Sequence, residues 1–109
     1  MTTEDNVFIP RPPVGRETYG SYCHRLEEAL ITITAFKKPP ELAIKALAFI
    51  AMEAPSDFDH CSIREVLPSR RIRDFLGGLP AESREMFRVE ALKLPQARED
   101  RINMLLRVS

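Results

Sequence analysis

Residues 41–54, ELAIKALAFIAMEA, most constrain how this chain can fold, because prolines fence them on both sides: Pro39 and Pro40 in front, Pro55 behind. Proline fixes φ and lacks an amide donor, so it suits the first turn of a helix and breaks its interior. Inside the fence only Glu41, Lys45 and Glu53 are charged. At about 100° per residue these three share roughly a third of the helix circumference. Leu42, Ile44, Leu47, Phe49, Ile50 and Met52 spread around the cylinder, with four alanines between them. A helix that is apolar on most sides must be surrounded by other elements. The segment is therefore expected to be a central core helix, with Glu41 and Lys45 marking its solvent edge.

The flanking chain supplies candidate neighbours. From 17 to 36, Tyr19, Tyr22, Cys23, Leu26, Ala29, Leu30, Ile33 and Phe36 recur at helical steps. The β-branched run ITIT at 31–34 leaves an Ile31–Phe36 strand as the weaker alternative. Lys37 and Lys38 suit a helix C-terminus, where positive charge favours the dipole. Beyond Pro55, Ser62 and Glu65 form a capping box over the short helix SIREVL, stopped by Pro68. Ser69 is placed to cap RRIRDFL, and Gly77-Gly78 to end it in a left-handed stop.

A further helix is expected from Pro80 to Lys93, with Met86, Phe87, Val89, Ala91 and Leu92 as its apolar residues and Glu82, Arg84, Glu85 and Arg88 outside. Pro95 sits where it can begin a last helix facing the core with Ile102, Leu105, Leu106 and Val108. The fold class that follows is all-α, a compact bundle of four to six short helices around 41–54. Residues 17–109 form one helical domain, the expectation for a chain of 109 residues. Residues 1–16 form an extended arm, since Pro10, Pro12 and Pro13 favour polyproline II and forbid a helix.

Composition excludes some classes of function. The formal net charge is zero, so the whole chain has no strong attraction to nucleic acid or anionic membrane. The distribution is less even: residues 17–59 carry a net of −3 and residues 60–109 a net of +3, and twelve of the sixteen basic residues are Arg. No apolar run approaches the roughly 20 residues that cross a bilayer. The opening MTTEDNVF has acidic side chains where a secretory leader has basic ones, and two cysteines make no disulfide framework. A cytoplasmic setting is the expectation.

Chemistry is sparse. Cys23-His24 and His60-Cys61 equal a zinc set in number, but adjacent helical residues diverge by about 100° and do not converge on one ion. No metal or other cofactor is expected, and no small-molecule substrate is evident. Asp57, Asp59 and His60 form a small polar cluster without a nucleophile elbow, a phosphate loop or a dinucleotide fingerprint. No enzyme activity is expected.

Two binding readings remain. The first is a protein–protein interaction module of the adaptor, regulator or inhibitor type, docking through Phe8, Ile9, Pro10, Arg11, Pro12 and Pro13 on the arm or associating as a homodimer. The alternative is a small DNA-binding transcriptional regulator. Residues 60–79 have the outline of a helix-turn-helix, with Arg64, Arg70, Arg71 and Arg73 as candidate contacts to nucleic acid or a partner. Pairing of these arginines with neighbouring carboxylates is the simpler expectation.

Overall fold

The computed structural model describes residues 18–53 and 67–107. The described residues form five helices and no strand: α1 (Tyr19–Thr34), α2 (Glu41–Glu53), α3 (Pro68–Gly77), α4 (Ala81–Leu92) and α5 (Glu99–Leu106). The Cα radius of gyration is 13.2 Å, close to the about 13 Å of a compact 100-residue domain. The N-terminal arm, the capping box at Ser62 and Glu65, Arg64, His60 and Cys61 lie outside the described residues.

The principal helix contacts close a ring that runs α1, α2, α4, α5, α3 and back to α1. Helix α2 is the core of it. Of the twenty buried hydrophobic residues among those described, eight belong to α2, including Ala43, Ala46, Ala48 and Ala51. Its most extensive contact is with α4. Small side chains bring backbones close, and Phe87 of α4 is fully buried in the same cluster. Glu41 and Lys45 form the expected solvent edge, both exposed and 3.7 Å apart.

Helix α1 is capped by Thr18, whose Oγ1 accepts from the Ser21 amide at 3.1 Å. The β-branched run stays helical to Thr34, so the strand alternative fails. Its hydroxyls find local partners: Thr32 Oγ1 donates to the Glu28 carbonyl and Thr34 Oγ1 to that of Leu30. The helix ends before Lys37 and Lys38, which lie beyond its last turn. The Ala35 and Phe36 amides reach back three residues instead and tighten the end.

Three expected helix boundaries change for identifiable reasons. Helix α3 starts at Pro68 with Leu67 as an uncapped N-cap, because proline pre-sets the first-turn φ and Ser69 is drawn inside the helix. Its end is not left-handed: Gly78 has φ −90°. Among the described residues, the one left-handed non-glycine residue is Arg107, φ 58°, which closes α5. The last helix starts at Glu99 rather than near Pro95, since the Ala97 amide closes a turn onto the Leu94 carbonyl and Arg98 is extended.

Arg98 is held there by the C-terminal end of α2. Its amide donates to Met52 Sδ, and its Nη2 donates to the Ala51 and Met52 carbonyls at 3.3 and 3.2 Å. Arg101 adds a bond from Nε to the Ala51 carbonyl at 2.8 Å. Two arginines thus satisfy helix-end acceptors and oppose the negative end of the dipole. Beside them Glu53 accepts from the Tyr22 hydroxyl at 3.1 Å and from Gln96 Nε2 at 2.9 Å.

Candidate functional site: the arginine cleft between α3 and α5

Helix α3 buries Ile72 and Leu76 and keeps Phe75 half-buried, which turns Ser69, Arg70, Arg73 and Asp74 to another side. Helix α5 buries Ile102 and Leu105. Arg101, Met104 and Arg107 recur every three residues and so share another side of it. Because α3 and α5 pack together, these sets face a common cleft of about 460 Å³, rimmed also by Leu67. That volume lies in the range of about 300–1,000 Å³ usual for ligand-sized pockets.

The cleft is cationic. Among the described residues, four guanidinium groups line it, from Arg70, Arg73, Arg101 and Arg107, against the single carboxylate of Asp74. Asp74 is shared, with Arg70 Nε at 3.9 Å and Arg107 Nη2 at 3.5 Å. Arg70 is 77% exposed, so its pairing is weak. Arg101 is fixed by Ala51 and by Ser69, whose Oγ accepts from Nη2 at 3.3 Å. Arg73 differs from all of these. Its Nε is buried and has no hydrogen-bond partner, the one such side-chain atom among the described residues. Two apolar side chains stand open at the same cleft, Leu67 at 48% and Met104 at 41%.

The arginines expected to act together are divided. Arg70 and Arg73 share the cleft, whereas Arg71 lines a separate hollow of about 350 Å³ with Thr34, Asp74 and Phe75. A third hollow of about 340 Å³ is lined by Ala81, Arg84, Glu85, Arg88 and Leu106. There Arg88 Nε binds both Glu85 oxygens, and that hydrogen bonding holds the Glu85 carboxyl below its ordinary pKa. Cys23 is buried in the core, while His24 is exposed and 3.5 Å from Glu28. Helix α4 buries only Phe87 and Ala91 of its expected apolar set, leaving Val89 and Leu92 exposed.

Arg101, Met104 and Arg107 were not among the candidate contacts read from the sequence. Their signal was present as a three-residue step, RINMLLR, on the last helix. What it lacked was any indication that this face lies against α3. No protein-family model matches the chain, and no curated protein or solved structure matches it.

Proposed function

We propose that this chain is a non-catalytic binding module that captures an acidic segment of a partner protein in the cleft between α3 and α5. The observation that carries this reading is the convergence of four arginines on one cleft with a single opposing carboxylate among the described residues. Guanidinium groups present forked donors suited to carboxylate-type oxyanions. The open Leu67 and Met104 favour a polypeptide, which offers apolar side chains beside its charges, over a bare polyanion.

Titration of the full chain with a glutamate-rich peptide tests it. Binding is expected at low salt, weakening as salt rises. Reversal of the exposed cleft charge, Arg70→Glu, is expected to weaken it by about tenfold, while Arg84→Glu on α4 leaves it unchanged. Absence of binding at low salt overturns the reading.

Duplex DNA is the second reading, favoured by the exposure of Arg70 in the first turn of α3. It requires binding that falls steeply with salt and a flatter salt dependence in the double variant Arg70→Ala, Arg71→Ala. The zero net charge and the division of Arg71 from Arg70 and Arg73 weigh against it.

A further inference from the structure

Resting on that reading of the cleft, we infer that the part of it around Arg73 is a seat for a phosphoryl group, so that the partner segment is recognised in its phosphorylated form. The starting point is Arg73 Nε. A buried donor without an acceptor is costly and is rare in folded proteins. The residue itself lines the cationic cleft although Nε is covered, so a turn of the Arg73 guanidinium toward an incoming oxygen would give that donor the acceptor it lacks.

The chemistry of the neighbours selects the oxyanion. A carboxylate has two oxygens and one charge, and a single guanidinium fork satisfies it. A phosphomonoester has three acceptor oxygens and a charge of about −1.5 to −2 at neutral pH, which suits several arginines at once. Arg70, Arg73, Arg101 and Arg107 offer that arrangement, with Asp74 drawing on Arg70 and Arg107 and not on Arg73. Arg101 is held in place by Ala51 and Ser69, so part of the seat is already ordered before anything binds. A partner ligand then loses less freedom on docking.

A free phosphate ion shares the oxyanion chemistry, but Leu67 and Met104 at the rim have no role with it. They can cover the residues that flank a phosphorylated side chain. A duplex would present successive phosphates along a length greater than one such cleft can follow.

The experiment compares three probes on the full-length protein: a glutamate-rich peptide with a central phosphoserine, the same peptide with glutamate there, and inorganic phosphate. The phosphopeptide is expected to bind about tenfold tighter than its glutamate counterpart. Its affinity is expected to rise as pH passes upward through the second phosphate ionisation, near about 6, while the glutamate peptide shows no such rise. Arg73→Lys keeps the charge and removes the fork, so it is expected to weaken the phosphopeptide by more than the glutamate peptide and thereby erase the preference. A melting curve matching the parent confirms that the variant is folded.

Equal affinity for the two peptides overturns the phosphoryl seat and leaves the acidic-segment reading standing. Failure of both peptides to bind overturns both. Inorganic phosphate binding as tightly as the phosphopeptide overturns the assignment to a partner protein, and full preference retained in Arg73→Lys overturns the role of Arg73.

Discussion

Arg101 on the last helix donates from Nε to the Ala51 carbonyl at the end of the central helix, 2.8 Å away. Fifty residues of chain separate them. The bond joins the wall of the arginine cleft to the core helix, and the same guanidinium reaches Ser69 on α3. Cleft and core are therefore mechanically continuous.

Removing that link should be felt as stability. Arg101→Met keeps much of the apolar stem and strips the charged donors, leaving the Ala51 carbonyl without one of its partners. A loss of about 1–3 kcal/mol is expected, read as a lower midpoint in denaturant unfolding. An unchanged midpoint would show that Arg98, which also reaches Ala51, suffices alone.

The alanines of α2 give a sharper test of packing. Ala46 and Ala51 are fully buried, with no exposed surface. Ala46→Leu and Ala51→Leu each insert carbon atoms where neighbouring helices already touch, and each is expected to destabilise by about 1–3 kcal/mol. If both melted like the parent, α2 would not be the tightly packed centre described above.

The opposite face of the same helix should be tolerant. Glu41 and Lys45 are exposed and 3.7 Å apart, in the favourable acid-before-base order. Lys45→Ala is expected to change stability by about 0.5 kcal/mol or less, and salt should reduce even that. A loss as large as that of the alanine variants would contradict the assignment of a solvent edge.

Alkaline pH probes the end of the helix. The Tyr22 phenol is pushed up to about 12 from 10.0, first by burial and then by the charge and hydrogen bond of Glu53. A raised folded-state pKa means the native protein holds this proton more tightly than the unfolded chain. The resulting stability is fully present below pH 10.0 and is lost as pH rises through about 12. Glu53→Gln removes the charge and should bring the phenolate transition in ultraviolet absorbance to lower pH. A transition unmoved by that change would leave burial as its whole cause.

Much of the helical content was legible because proline and glycine punctuate the chain and apolar residues repeat at helical steps. ELAIKALAFIAMEA reads as a core helix since its charges crowd into one sector, and the burial of α2 follows that pattern. Boundaries were harder. Ser69 looks like a cap, but the adjacent Pro68 already opens the helix and Ser69 Oγ serves Arg101 instead. Gly78 looks like a left-handed stop, whereas Arg107 takes that conformation. Local rules name the residues able to fill a role and leave open which residue tertiary contacts assign to it.

The candidate site shows the same division more strongly. The SRRIRD segment displayed its arginines as one cluster, yet helical geometry splits them, sending Arg70 and Arg73 to one cleft and Arg71 to another hollow. By itself the sequence determined the all-helical class, the identity of the core helix and its solvent edge, because these follow from periodicity and charge within short windows. Only the tertiary structure decided that Arg101 and Arg107 stand opposite Arg70 and Arg73, and that one nitrogen of Arg73 is buried without a partner. The physical reason is that α3 and α5 meet by packing Ile72, Leu76, Ile102 and Leu105 into the shared core. Which polar faces that packing brings together is a property of the whole bundle and of no single helix.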